Sequence, residues 1–410
     1  MRLTANDAAL DVMVASPGEP DLSIELRPLE PGAPAYRTTA QHLVRYRGSR
    51  DLSAALRQVI DAVIEEVERP GAMPARFRGV ATLGDEPDRL SPESFARRFP
   101  FAQVDLSTGP RGAEREVLLR LTPACNQHCA FCSAPTFAAP SAEAVRACID
   151  FIAAELAGAQ LTLTGGEPTL CPTFADSLSH ALDKPEIARV LVQTNAVAFG
   201  TAGRASRLPK TERLAFFVSL HALDPAIYDE MTASSGQLPL AIEGIRNLLA
   251  AKQAVTLNTV VTSANLAHLP AMIEALGDTF APSAIGYLHF STLMCPPHRP
   301  DAEGLLARYS DIAPVLLRVA ERAAELGIAV EPLVSSTHAS VPLCLVSDEE
   351  RRRATHRPEI GPDETGYEDL SRSWVKANAC RACPADKECL GVPAPYARRF
   401  GLAELRPFIP

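Results

Sequence analysis

Cys125, Cys129 and Cys132 stand within one short stretch, CNQHCAFC, around a single aromatic residue, Phe131. Three thiols are an odd set for a structural metal, since zinc takes four ligands and disulfides need pairs. Three thiolates can hold three irons of a 4Fe-4S cube, leaving the fourth iron open to an outside ligand. The alternative at this point is zinc or an ordinary electron-transfer cluster, completed by His128 or a distant cysteine. A second group reads Cys380-x2-Cys383-x5-Cys389, with Cys344 upstream. Four thiolates suit either zinc or a fully ligated 4Fe-4S cluster.

A second motif narrows the first. The next strand-like stretch runs into Thr164, Gly165, Gly166, Glu167 and Pro168. Paired glycines let backbone approach a ligand closely, and the neighbouring carboxylate can accept from an ammonium group. The same residues would also make a plain strand-to-helix turn. An iron site beside an amino-group site calls for an amino-acid-like ligand that chelates iron, and S-adenosylmethionine is one.

These motifs need elements to position them. From 115 to 334, strand candidates lie at 116–122, 161–164, 189–195, 214–220, 255–262 and 284–292, short and apolar as if buried on both faces. Helical periods fall between them; Ser141 is the expected N-cap of one, with Gly158 past its end. Six strand–helix units imply parallel strands joined by right-handed crossovers. Six are too few for a closed eight-unit barrel, so the fold class is α/β, a partial (β/α)6 barrel over 114–334. In such sheets chemistry collects at the C-terminal ends of strands, where both motifs fall. Residues 1–113 are expected to form a small α+β domain with strand-like LSIELRPL and HLVRYRG and an amphipathic helix at 53–69. Residues 335–410 read as a loop-rich, cysteine-containing extension with a solvated EERRR run.

The net charge of −9 speaks against nucleic acid or an anionic membrane as main partner. Asp7 and Asp11 interrupt the N-terminus where a signal peptide needs an apolar run, so a cytoplasmic protein is expected. There, clustered cysteines bind metal more often than they pair.

CNQHCAFC and GGEP together resemble the radical S-adenosylmethionine superfamily, and VQTNA and SLHA resemble its further cofactor-facing positions. The resemblance implies that Cys125, Cys129 and Cys132 hold a 4Fe-4S cluster whose open iron chelates S-adenosylmethionine. By the same resemblance Phe131, Gly165, Gly166, Glu167, Asn195 and Ser219 become cofactor-side residues, Asn195 and Ser219 with a capping or core polar role as the alternative; Asn258, a polar residue inside an apolar strand, reads equally as a cofactor contact or a core polar group. One-electron reduction would then yield a 5′-deoxyadenosyl radical that takes a hydrogen from substrate.

The C-terminal cysteines resemble part of a SPASM/twitch extension. Pro393 stands where a further cysteine is expected, which implies one auxiliary 4Fe-4S cluster on Cys344, Cys380, Cys383 and Cys389. The whole layout resembles maturases of His-Xaa-Ser-type peptide systems, implying oxidative modification of a peptide or protein and a donor such as flavodoxin or ferredoxin. The competing readings are a dehydrogenase or epimerase of a small metabolite and a non-catalytic iron–sulfur or zinc module. Cys148 and Cys171 read as core. Cys295 reads as a buried free thiol or a hydrogen-atom donor, and His221 and His289 as core or rim residues or as substrate contacts.

Overall fold

The structure, a computed structural model, describes residues 116–293 without a break. It also describes 2–5, 10–14, 22–28, 37–38, 42–47, 95–96, 98–105, 108–109, 112–113, 295, 299–331, 341–348, 351, 374–386, 389 and 391–407. The helix expected at 53–69 and all but Arg351 of the EERRR run lie outside these residues. Contacts divide the chain into Met1–Ser91 and Pro92–Pro410.

The first unit holds a five-stranded antiparallel sheet. Its strands are β1 (Arg2–Ala5), β2 (Leu10–Val14), β3 (Leu22–Pro28), β4 (Arg37–Thr38) and β5 (His42–Arg47), in the order β1-β2-β3-β5-β4. β3 and β5 lie where LSIELRPL and HLVRYRG placed them.

The second unit begins with β6 (Ala102–Asp105) and the short pair β7 (Thr108–Gly109) and β8 (Gly112–Ala113). Six strands follow: β9 (Glu116–Arg120), β10 (Gln160–Thr164), β11 (Arg189–Thr194), β12 (Leu214–Ser219), β13 (Ala254–Val261) and β14 (Tyr287–Thr292). These six are parallel and neighbour one another in chain order, and β6 adds antiparallel to β9 at one edge. The sheet stays open between β6 and β14, which is the partial barrel expected. β6 falls within the stretch read as an N-terminal domain to 113. It belongs to this sheet because the β7–β8 hairpin folds it back onto β9.

The crossover helices are α1 (Ala142–Glu155), α2 (Phe174–Leu182), α3 (Pro225–Thr232), α4 (Leu238–Ala250), α5 (Leu269–Thr279) and α6 (Tyr309–Glu325). Ser141 caps α1 by accepting from Ala144 N at 3.2 Å, a contact typically contributing about 1 kcal/mol. The six-unit expectation fails at one crossover: between β11 and β12 there are only 3-10 turns at Val197–Gly200 and Ala205–Arg207. α4 lies against that turn instead. Gly244 has no room for a Cβ beside the Ala196 carbonyl, and Asn247 Nδ2 donates to Phe199 O at 2.9 Å.

The strands are not buried equally on both faces, contrary to the sequence reading. Val117, Leu119, Leu161, Leu163, Val190, Val192, Phe216 and Val218 are all fully buried on the face the crossovers cover. Each such side chain stabilises the fold by about 1.5–3 kcal/mol. On the other face Arg120, Thr164, Gln193, Ser219 and His289 are only partly buried, and in β9, β11 and β14 buried residues alternate with half-buried or exposed ones, although Thr162, Ala215 and Asn258 on that face are buried. One-sided helix cover leaves the second face free to carry polar groups.

Candidate active site

The two motifs at the ends of β9 and β10 are joined by backbone. Leu121 N donates to Thr164 O at 2.9 Å, Gly166 N to Thr122 O at 2.7 Å, and Glu167 N to Ala124 O at 2.8 Å. The parallel ladder thus continues past the strands into the root of the cysteine loop. This closeness requires the paired glycines. A Cβ on Gly165, whose φ is +142°, would stand 2.5 Å from Thr122 O, and one on Gly166 would stand 2.6 Å from Pro123 O and meet Ala124 O as well. The paired glycines thus also permit a close approach to the cysteine loop's own backbone.

The loop is anchored on the other side by α3: His128 N donates to Thr232 O at 2.8 Å, and Gln127 Nε2 to Tyr228 Oη at 2.8 Å. Arg299 Nη1 donates to Cys129 O at 3.1 Å. Phe131 is buried edge-on against His221, with ring centroids 4.9 Å apart at 85°. Cys125 and Cys129 are half-buried and Cys132 is exposed. Burial pushes the Cys129 thiol up to about 12, with Cys132 and Cys125 adding to the rise, and burial raises Cys125 as well. Thiols held up by burial beside other thiols ionise readily only against a cationic partner. Among the described residues no three His, Cys, Asp or Glu side chains are placed to hold a metal ion. Three thiols in one loop are the donor set for three irons of a 4Fe-4S cube, and His128, the residue a zinc alternative would draw on, is exposed.

Glu167 is 2% exposed and accepts four hydrogen bonds. Its Oε1 takes Thr169 N at 3.1 Å, Thr169 Oγ1 at 2.5 Å and Thr194 Oγ1 at 2.7 Å, and its Oε2 takes Asn195 N at 2.8 Å. Burial nevertheless raises its pKa, because the loss of bulk water outweighs these donors, which lower it. Asn195 extends the network: its Nδ2 donates to Asn126 Oδ1 at 2.8 Å, and Asn126 Nδ2 donates to Gln237 Oε1 at 2.9 Å. Gln237 Nε2 returns to Asn126 O at 2.8 Å. The sequence reading missed Asn126, Gln127, Tyr228, Gln237 and Arg299. The available signal was that a loop carrying three ligands needs anchors of its own, and Asn126 and Gln127 lie between them.

Ser219, Asn258 and His289 form one register row across β12, β13 and β14, with Asn258 buried between the half-buried Ser219 and His289. Asn258 Oδ1 accepts from Ser291 Oγ at 2.8 Å, which accounts for a polar side chain inside an apolar strand. His289 Nδ1 lies 2.5 Å from Glu331 Oε2. His221 does not reach this row. It is 3% exposed, its Nδ1 accepts from Val260 N at 3.2 Å, and burial lowers its pKa to about 4, so the ring is neutral.

In the C-terminal group, Cys383 N donates to Cys380 O at 2.9 Å and Gly391 N to Cys389 Sγ at 3.4 Å. Cys344 comes from the 3-10 turn Leu343–Leu345. Its thiol is pushed up to about 11 by burial first, with Cys389 and Cys380 adding, so the upstream cysteine stands near two of the other three. Cys148 is fully buried on α1, as expected, while Cys171 is half-buried and donates to Leu121 O at 3.6 Å. Cys295 is half-buried, its thiol raised to about 11 by burial and then by Glu303.

Residues 119–276 match the Radical SAM superfamily, a span that contains the cysteine loop, the GGEP turn, the end of β9 and four whole parallel strands, β10 to β13. The chain carries a radical S-adenosylmethionine domain. No curated protein matches it significantly. Among solved structures, Streptococcus suis SuiB bound to precursor peptide SuiA aligns at 15% identity over 52% of this chain and 48% of that chain, with a TM-score of 0.42. Native anSMEcpe with bound AdoMet aligns at 15% identity over 52% and 62%, with a TM-score of 0.41. The same protein with AdoMet and Cp18Cys peptide aligns at 12% identity over 69% and 93%, with a TM-score of 0.49. The chain spans about half the length of SuiB. Among the described residues no helix is long and apolar enough to cross a membrane.

Proposed function

We propose that this chain is a radical enzyme that oxidatively modifies a side chain of a peptide or protein, using S-adenosylmethionine and a cluster on Cys125, Cys129 and Cys132. The observation that carries the reading is the direct ladder from the GGEP turn into the cysteine loop, which ties the amino-group site to the iron site at one rim. When bound, the cluster and S-adenosylmethionine supply a 5′-deoxyadenosyl radical that removes a hydrogen atom from substrate.

The chain's own residues do the positioning. Gly165 and Gly166 set the distance between the loops. Glu167 Oε2 has one protein donor, so a lone-pair site is left for a ligand ammonium. Ser219 and Asn258 line the polar face beyond it. Cys344, Cys380, Cys383 and Cys389 hold an auxiliary 4Fe-4S cluster that accepts the electron left after hydrogen abstraction, and a flavodoxin or ferredoxin supplies the initiating electron. The open sheet favours a polymer over an enclosed small molecule. The N-terminal part, read as 1–113, adds a folded sheet that the core chemistry does not need, which suits recognition at a distance.

Anaerobic loading should give about eight irons, two 4Fe-4S clusters. Replacing Cys125, Cys129 and Cys132 by Ala should leave about four irons and abolish 5′-deoxyadenosine formation from S-adenosylmethionine and dithionite. A peptide encoded beside this chain should lose the mass of two hydrogens. A metabolite changing while that peptide does not would overturn the substrate class, and persistent 5′-deoxyadenosine in the triple variant would overturn the site.

A further inference from the structure

Gln127 sits between two of the three cysteines, and its amide touches both the loop's sulfur and α3. Its side chain is 7% exposed. At one end, Oε1 lies 3.9 Å from Cys129 Sγ, accepting from the thiol. At the other, Nε2 donates to Tyr228 Oη at 2.8 Å. Tyr228 is fully buried and here serves as acceptor, so its own O–H is not used in this contact. The polarity of the chain therefore runs from Cys129 through Gln127 to Tyr228.

That polarity suits a thiol and opposes a thiolate. A metal-bound Cys129 has no proton to give, and an amide oxygen aimed at an anionic sulfur repels it. The two ends of a primary amide are nearly isosteric, so a half-turn exchanges them without new space. After the turn, Tyr228 O–H donates to Gln127 Oε1, and Gln127 Nε2–H donates to the sulfur. The Tyr228 O–H and one amide N–H then each have an acceptor. In the same loop Gln127 N already donates to Cys125 Sγ at 3.4 Å.

Resting on the cluster assignment above, we infer that Gln127 reverses its amide when Cys129 ligates iron and, backed by Tyr228, donates to that ligand's sulfur, raising the cluster's reduction potential. The sign follows from charge. Reduction adds an electron, so the reduced cluster is the more anionic state and gains more from a donor at its sulfur. Gln127 positions and tunes; it does not touch substrate.

The test is an anaerobic redox titration of the full-length, cluster-loaded enzyme. The signal followed is the EPR feature that changes on adding S-adenosylmethionine, which separates this cluster from the auxiliary one. Gln127→Leu should disfavour reduction roughly tenfold, ~59 mV lower for one electron, with iron content unchanged. Tyr228→Phe should lower the midpoint by less, because the donor remains but loses its support. The double variant should match Gln127→Leu alone, since Tyr228 acts only through Gln127.

An unchanged midpoint in a fully loaded Gln127→Leu enzyme would overturn the inference, and so would independent, additive shifts. If Gln127→Leu does not take up iron, Tyr228→Phe decides: a midpoint equal to wild type refutes the relay. Failure of the wild-type loop to load a cluster responsive to S-adenosylmethionine would instead refute the cluster assignment itself.

Discussion

Replacing Glu167 tests whether this carboxylate serves only a ligand or also holds the site together. In Glu167→Ala, Thr169 N and Asn195 N lose their acceptor, and Thr169 and Asn195 are 1% and 5% exposed. Two buried backbone amides left unpaired cost about 1–3 kcal/mol each, so about 2–6 kcal/mol together. The Thr169 and Thr194 hydroxyls add less, because they can rotate. Burial raises the Glu167 pKa, so removing a disfavoured charge returns part of that loss. Glu167→Gln keeps an oxygen for the three donors on Oε1 and turns an NH2 toward Asn195 N, losing one bond, about 1–3 kcal/mol. Urea unfolding of the metal-free protein should therefore rank wild type above Gln above Ala in midpoint. Binding of S-adenosylmethionine to the loaded enzyme should weaken in both variants. A metal-free Ala variant that unfolds at the wild-type urea concentration, yet binds S-adenosylmethionine poorly, would refute the structural role. Equal losses in Gln and Ala would refute the bond-by-bond account.

His221 should make stability depend on pH. Its folded pKa, lowered by burial to about 4 from an ordinary 6.5, means the unfolded chain takes up a proton first as pH falls. The stabilisation is whole above pH 6.5 and is lost toward pH 4, about 3 kcal/mol in all; His221→Phe should flatten that part of the unfolding-versus-pH curve. For the second cysteine group, Cys344→Ala should lower iron from about eight to about four, whereas Cys148→Ala, whose thiol is fully buried on α1, should keep it. Full iron in Cys344→Ala, or zinc in place of iron, would overturn the auxiliary ligand set.

The parallel core was legible because each strand carries a buried apolar face, and runs such as Leu214–Val218 show it directly. β6 was not. Four residues of mixed polarity carry little signal, and they are strand only because a later segment, Glu116–Arg120, pairs with them. The missing helix after β11 was equally hidden. α4 settled against that turn through Gly244, a contact that no local periodicity encodes.

The site divides along the same line. Ligand types and their spacing are local, so the cysteines and Glu167 could be picked out from the chain alone. What holds them is long-range and uses ordinary residues. Asn126 meets Gln237, Gln127 meets Tyr228, and Arg299 meets the Cys129 carbonyl, each across more than a hundred positions. A glutamine has no spacing rule, because its partner is chosen by the fold. The paired glycines show how one motif can carry a structural demand beside the one read from the sequence. Their missing Cβ atoms make room for the 122–124 backbone. That contact fixes where Glu167 meets the cysteine loop, and so a motif read as contacting the ligand also sets the distance between the two halves of its site.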